Sequence, residues 1–218
     1  MNVRKCEVVS LSMCTGAYGL TNKIKNNTTP EEFDQFINDI PGYDLSYGGR
    51  CGWNVLGTAA NTGNVILVEH IVKIGEPKLL NMGNEFGMTP LFCAMYGEDL
   101  DQMYLVAKKL IDMGADINLA TRYGAGDSSR GNTPSEATPL WACIERACNR
   151  RLGKYLICMG AIAIKLSPGG EMIEKELILE IHVKRLFLAA YFKPENNGSI
   201  INVLPKDIVR HIYCKYLF

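Results

Sequence analysis

Three stretches of the chain carry the same order of turn, capping and apolar residues. They are Gly52-Trp-Asn-Val-Leu-Gly-Thr-Ala-Ala60, Gly87-Met-Thr-Pro-Leu-Phe-Cys-Ala-Met95 and Ala137-Thr-Pro-Leu-Trp-Ala-Cys-Ile144. Each runs through Thr/Asn-Pro/Val-Leu into small apolar residues, and each is followed by apolar positions at helical spacing. Those positions are Val65, Val68, Ile71 and Val72 after the first, Leu105, Leu110 and Ile111 after the second, and Tyr155, Leu156 and Ile157 after the third. Every second stretch stops at a glycine, Gly75, Gly114 or Gly160, the residue that most readily ends a helix in a left-handed conformation. The pattern predicts three helix-turn-helix units, and self-similarity of this kind is the mark of a repeat architecture.

The physics of one unit follows from its letters. Pro90 and Pro139 fall in a first helical turn, where the missing N–H costs nothing, and Thr89 and Thr138 stand where a hydroxyl can accept from that turn. Leu56, Leu91 and Leu140 point to the core, while Ala59, Ala60, Ala94 and Cys143 are small enough to admit a neighbouring helix. One such pair cannot bury its own apolar face, so the units must stack. A diverged first unit precedes them. Thr29-Pro-Glu-Glu32 reads as a capping box, Phe33, Phe36 and Ile37 follow at helical spacing, and Pro41-Gly-Tyr-Asp-Leu-Ser46 takes the closing-turn position. The closing glycines Gly42, Gly75, Gly114 and Gly160 lie 33, 39 and 46 residues apart, so the later units carry insertions. Residues 119–136, rich in glycine and serine, are the largest and read as a loop without periodicity.

Beyond the repeats, Pro168-Gly169-Gly170 reads as the close of the third clear unit. Glu171–Glu180 and Lys184–Tyr191 read as two further helices, and Lys193–Ser199 as a loop. In the last segment Pro205 suits a helix start and Asp207 its first turn; Ile208, Ile212 and Tyr216 form one apolar stripe with Val209, Tyr213 and Leu217 beside it.

Gly87-Met-Thr-Pro-Leu-Phe-Cys-Ala94 resembles the Gly-x-Thr-Pro-Leu-His-x-Ala signature of the ankyrin-repeat family, with Phe92 in place of histidine, and Gly114-Ala-Asp-Ile-Asn118 resembles its closing turn. The resemblance covers roughly residues 10–165. It implies an all-α solenoid of stacked helix-turn-helix units with hairpin-like fingers, and a protein whose partners are other proteins. Residues 1–48 then hold the diverged first unit, 49–167 about three ankyrin repeats, and 168–218 a C-terminal helical cap. Aligning the units on the family places Trp53, Thr58, Met88, Tyr96, Glu145 and Arg146 outward on the concave face. The insertion becomes either a partner-contacting finger carrying Arg122, Tyr123 and Arg130 or a tolerated surface loop.

Residues 203–218 resemble the opening of an F-box through Leu204, Pro205, Asp207, Ile208, Ile212, Tyr216 and Leu217. An F-box-like segment after ankyrin repeats is similar to the PRANC arrangement of poxviral ankyrin proteins, with comparable endings in giant viruses and intracellular bacteria. It implies docking of Leu204, Pro205, Ile208, Ile212, Tyr216 and Leu217 on the Skp-type adaptor of a cullin-RING ubiquitin ligase, in the cytoplasm of a host cell. The alternative is a plain binding or inhibitory module in which this helix only caps the array.

Composition narrows this picture. A chain of 218 residues, 47% hydrophobic and 21% charged, can bury a sizeable core, and 23 basic against 23 acidic side chains argue against a general nucleic-acid or membrane-surface binder. The balance is uneven along the chain: residues 1–143 hold 11 basic and 16 acidic side chains, residues 144–218 hold 12 and 7. The two portions either mark two binding faces or attract each other. Eight cysteines without a Cys-x-x-Cys pair, and three histidines without metal-ligand spacing, leave a zinc site unsupported. With no signal-peptide pattern, the cysteines read as reduced thiols of an intracellular protein, and Cys93, Cys143 and Cys158 as small core residues. No phosphate-loop, serine-hydrolase or metalloprotease motif occurs, so no catalytic residue, cofactor or metal is predicted and the chain reads as non-enzymatic.

Overall fold

The structure, a computed structural model, describes residues 20–40, 42–46, 53–122, 125–127 and 131–191. Helical residues 20–23 lead through a turn into α1 (Pro30–Asn38), followed by α2 (Val55–Asn61), α3 (Val65–Ile74) and a 3-10 turn at Pro77–Asn81. Next come α4 (Pro90–Ala94), α5 (Leu100–Asp112) and a hairpin of β1 (Ala125–Asp127) and β2 (Gly131–Thr133). A short α6 (Pro139–Ala142) runs into a π-turn at Cys143–Ala147, and α7 (Arg150–Cys158) and α8 (Pro168–Tyr191) complete the order. Helical residues 20–23 with α1, α2 with α3, α4 with α5, and α6 with α7 are the four stacked pairs.

Local chemistry sets each helix start. Thr29 and Glu32 form the reciprocal capping box. Asn54, Thr89 and Thr138 cap the first helices of the next three units by accepting from Gly57, Phe92 and Trp141 N–H groups. Leu56, Leu91 and Leu140 are fully buried, and Ala59, Ala60, Ala94 and Cys143 lie where the helices meet. The core is one continuous cluster from Leu20 to Leu156 rather than four separate ones.

Units are also tied by buried asparagines. Asn64 and Asn149 cap α3 and α7 through their side-chain oxygens, accepting from Leu67 and Leu152 N–H. Each turns its amide back onto the preceding unit. Asn64 Nδ2 donates to the carbonyls of Lys25 (3.0 Å) and Thr28 (2.7 Å), and Asn149 Nδ2 to the carbonyl of Leu100 (2.8 Å). Asp99 holds the same position on α5 and accepts from Asp101 and Gln102 N–H, but a carboxylate has no amide to reach back with. The closing turns are tied in the same manner. Asn81 accepts from Asp116 N–H, and Asn118 from Ile162 N–H.

The structure corrects several expectations. Gly75 is extended (φ −89°, ψ 174°), unlike left-handed Gly114 and Gly160; it is small because a Cβ there would lie 2.4 Å from Leu79 and 2.8 Å from the Ile71 carbonyl. Leu105 is 45% exposed, and the core face of α5 is Met103, Tyr104, Val106, Ala107 and Leu110. The longer second spacing has two sources: the stretch from Gly75 to Thr89, where a 3-10 turn buries Leu79 and Leu80, is two residues longer than the one before it, and the stretch from Asp99 to Gly114, which holds α5, is four residues longer than that from Asn64 to Gly75. Residues 119–136 are not wholly irregular, since β1 pairs antiparallel with β2, Ala125 opposite Thr133. Pro168-Gly169-Gly170 opens α8 instead of closing a unit, and the two helices expected over 171–180 and 184–191 are one, because no proline or glycine interrupts the sequence between them.

α8 closes the array. Leu177 and Ile181 are buried, and Gly153 of α7 admits Leu177, whose Cδ1 lies 2.9 Å from where a Cβ would stand. Arg150 meets Glu176 (3.1 Å) and Glu180 (2.5 Å), and Lys154 meets Glu180 (3.2 Å).

Asn64→Asp keeps the cap of α3 but removes both donations to the preceding unit and sets a carboxylate against two carbonyls. We expect a loss of about 1–3 kcal/mol in urea unfolding, against under about 1 kcal/mol for Asp99→Asn, where both residues can cap.

Candidate partner-binding surface

The first helices of the last three units differ in one detail that shapes the surface beside them. From cap to cap, Asn54 to Asn64 and Thr89 to Asp99 are both ten residues, whereas Thr138 to Asn149 is eleven. The extra residue is absorbed by the π-turn at Cys143–Ala147, which ends at Cys148 in a left-handed conformation (φ 48°). Gly63 (φ 77°) holds the corresponding place before Asn64. Such widened turns recur at functional sites because they re-aim side chains.

Here the re-aimed side chains are Glu145 and Arg146. They face the end of α4 across a cleft of about 410 Å³ lined by Met95, Tyr96, Gly97, Glu98, Leu100, Met103, Glu145, Arg146 and Ala147. The Arg146 guanidinium carbon lies 6.0 Å from the centre of the Tyr96 ring and 5.6 Å from that of Trp141, within the range where a cation is attracted to an aromatic face. Thr133 at the base of the hairpin is buried and ties the group together. Its hydroxyl is 2.5 Å from the Tyr96 hydroxyl and accepts from Arg146 Nη2 at 3.4 Å. Behind Arg146, the Trp141 indole N–H donates to the Lys165 carbonyl.

The hairpin grows from a neck built like the turn of the unit before it. In that turn Asn84 N–H donates to the Met88 carbonyl and Gly87 N–H to the Asn84 carbonyl, with Gly87 left-handed at φ 80°. In the next unit Thr121 N–H donates to the Ala137 carbonyl and Glu136 N–H to the Thr121 carbonyl, with Glu136 left-handed at φ 63°. In the sequence, residues 122–135 thus take the place between the two neck residues that Glu85 and Phe86 take one unit earlier. The two necks are joined, since Arg122 N–H donates to the Phe86 carbonyl (2.8 Å) and packs so close to Gly87 that a Cβ there would lie 2.6 Å from it.

Of the residues expected on the surface, the structure brings Tyr96, Glu145 and Arg146 into one cleft. Arg122 is exposed at the neck, and Trp53 is half-buried against the core. Thr58 is half-buried and donates to the Asn54 carbonyl. Glu145 is already engaged: its carboxylate accepts from Ser167 N–H (2.5 Å) and from the Ser167 hydroxyl, whose oxygen in turn accepts from Gly170 N–H at the start of α8. Met88 does not face outward. It is 6% exposed, because the turn that presents it also aims Asn84 at its N–H and folds it into the core. Tyr123, Arg130, Leu204, Pro205, Ile208, Ile212, Tyr216 and Leu217 lie outside the described residues.

Sequence reasoning missed Thr133, Leu100, Met103 and Glu98. The eleven-residue cap-to-cap spacing is a signal that the third first-helix differs, but which side chains then share a cleft depends on where the five-residue α4 ends.

The thiols here are packing groups. Burial pushes the Cys93 thiol up to about 12, and raises Cys143 as well, with neighbouring Cys148 adding to it. Among the described residues no group of His, Cys, Asp and Glu side chains is placed to hold a metal ion, and no helix is long and apolar enough to cross a membrane.

Residues 86–122 match the Ankyrin repeat family, and no curated protein matches the chain. The matched stretch runs from the neck of the third stacked pair, through α4 and α5, to the neck of the hairpin. The fold of the described residues is an all-α repeat stack with one hairpin finger, in which 86–122 is an ankyrin repeat.

Thr133→Val removes the hydroxyl that Tyr96 and Arg146 share while keeping its volume. We expect a loss of about 1–3 kcal/mol, with faster amide exchange in residues 125–133 by hydrogen-exchange mass spectrometry and α3 unchanged. Glu136→Gly relieves a left-handed non-glycine residue and should raise stability by about 1 kcal/mol, measured by thermal unfolding.

Proposed function

We propose that the chain is a non-enzymatic binding protein that holds a partner protein in the cleft between its third and fourth stacked pairs. Ankyrin repeats imply protein partners. The observation that carries the reading to this place is the gathering of Tyr96, Arg146 and Leu100 around one open cleft, with Arg146 and Tyr96 anchored on the finger through Thr133. Tyrosine and arginine dominate binding energy at protein interfaces because they bury a large area and keep a polar tip. Leu100, half exposed at the start of α5, gives the same cleft an apolar floor edge. Trp53, Arg122, Tyr123 and Arg130 remain further candidates for partner contact from their places in the sequence.

A second element of the reading concerns residues 203–218. Because α8 already covers α7, the array does not need the terminal segment to close it. This favours a recruiting role for Leu204, Pro205, Ile208, Ile212, Tyr216 and Leu217 toward a Skp-type adaptor of a cullin-RING ligase. The cleft would then hold the protein to be modified, in the cytoplasm of a host cell. In the plainer reading the cleft alone blocks or tethers its partner.

Proteins retained by the wild-type chain, identified by mass spectrometry, should be lost from a Tyr96→Ala, Arg146→Ala variant with an unchanged circular dichroism spectrum. Each substitution should cost at least about 1–2 kcal/mol of binding. Retention of every partner by the folded variant contradicts the cleft as the binding site. A Skp-type adaptor bound by the full chain and lost on deletion of residues 203–218 supports recruitment; no adaptor bound by the full chain leaves the plain binding module.

A further inference from the structure

We propose that Ser167 is a phosphorylation site for a proline-directed serine/threonine kinase, and that the phosphate detaches Glu145 from the start of α8. The segment leading into α8 repeats an arrangement met twice in the array. Lys165-Leu-Ser-Pro168 follows the order of Gly87-Met-Thr-Pro90 and Glu136-Ala-Thr-Pro139. Each begins with a left-handed residue, at φ 60°, 80° and 63° in turn. Each then brings a hydroxyl that accepts from the N–H three residues on, that of Gly170, Phe92 or Trp141. α8 therefore opens as the first helix of a further unit would. The difference is access. Thr89 and Thr138 are 3% and 1% exposed, whereas Ser167 is exposed, together with Lys165, Pro168 and Gly169 beside it.

Five Ser/Thr-Pro steps occur in the chain, at Thr29, Thr89, Thr133, Thr138 and Ser167. Three of these hydroxyls are buried, which leaves Thr29 and Ser167. Thr29 is held in the reciprocal capping box with Glu32, at the head of a helix that contains no glycine. Ser167 instead ends a stretch without helix or strand, residues 161–167, and the turn after it is Pro168-Gly169-Gly170. Proline keeps the residue before it extended, and two glycines make the first turn of α8 easy to unwind. A kinase takes its substrate extended, and a proline after the serine brings no backbone N–H that the enzyme's groove would leave unpaired. In the transfer, a bond forms between Ser167 Oγ and the γ-phosphorus of ATP as the bond to the bridging oxygen breaks. The hydroxyl proton passes to the kinase's aspartate and ADP leaves.

The product cannot keep the present contacts. Glu145 Oε1 accepts from Ser167 N–H (2.5 Å) and Oε2 from the Ser167 hydroxyl (3.0 Å). The same carboxylate fills the space that a side chain on buried Gly170 would need. Phosphoserine has no hydroxyl proton to give it and sets about −1.5 to −2 charges against it. The N–H groups at the start of α8 favour the phosphate, as does Lys165, now paired with Glu136 (2.8 Å), so Glu145 is the group that gives way. Glu145 lies in the π-turn beside Arg146. Its release loosens that wall of the cleft and offers Arg146 a competing carboxylate. Phosphorylation then weakens the hold on a partner, a consequence that rests on the cleft reading.

The full chain is incubated with ATP, Mg²⁺ and a purified kinase of the mitogen-activated class, and the phosphate is located by tandem mass spectrometry. Ser167 should be modified, while Thr29, and Ser167 in a Pro168→Ala chain, should react at least about tenfold more slowly. In hydrogen-exchange mass spectrometry, modification should speed exchange of residues 143–148 at least about tenfold and leave α3 unchanged. Glu145→Gln keeps an acceptor oxygen and removes the charge, so modifying that variant should leave 143–148 as protected as before. A bare Ser167, phosphate on Thr29 in its place, unchanged exchange at 143–148, or equal acceleration in Glu145→Gln each overturns the proposal. Partner capture is read separately. Partners kept by the phosphorylated chain but lost from the Tyr96→Ala, Arg146→Ala variant overturn the effect on binding. Partners kept by both overturn the cleft reading and leave the modification standing.

Discussion

No helix pair in this chain can bury its apolar face alone, and the rest of the structure follows from that constraint. The first helices are short: α4 has five residues and α6 four before its π-turn. Such helices are marginal by themselves, and they persist because Leu56, Leu91 and Leu140 are buried between neighbours. The tie is polar as well as apolar. Asn64 and Asn149 each satisfy an exposed helix end with one side-chain atom and a carbonyl of the previous unit with another, so a single buried residue fixes both the start of a helix and its distance from the unit before. Since an unpaired buried amide is costly, these contacts set the spacing of the stack.

A stack held in this way tolerates extra residues only where they leave the shared core untouched. Apart from those that lengthen α5 (13 residues against 10 in α3), the chain places them at three such points. The 3-10 turn at Pro77–Asn81 lengthens a connection, the finger emerges from a neck whose hydrogen bonds repeat those of the preceding turn, and the π-turn takes up one residue inside a first helix. Two of the three meet at the same cleft. The π-turn aims Arg146 and the finger supplies Thr133 to hold it, so the most irregular part of the array is also where Arg146 meets Tyr96 and Trp141. That coincidence is why the reading of function centres there and not on the more regular α2 and α3.

Much of the fold was legible in the sequence because its signals are local. Thr29 with Glu32, Thr89 with Pro90 and Thr138 with Pro139 announce helix starts by chemistry that needs no tertiary context. Tyr96 and Arg146 could be placed on the surface from the repeat alignment alone. What was not legible depended on neighbours. Met88 is drawn inward by Asn84, Gly75 is small for the sake of Leu79, and Leu105 yields the core to Met103 and Tyr104. Glu145 reads as a free surface carboxylate until Ser167, more than twenty positions later, is seen to occupy it. α8 reads as two helices because its apolar residues face two directions, which a single amphipathic period does not describe.

The central claim, that units stand only by leaning on each other, is tested most directly by Leu91→Ala in the third stacked pair with native-state hydrogen exchange resolved to each helix. The cavity should cost about 2–5 kcal/mol. The stacking account predicts faster exchange in α3 and α7 as well as in α4 and α5, because both flanking pairs lose the surface they rest on. Acceleration confined to α4 and α5, with α3 and α7 exchanging as in the wild type, would contradict it.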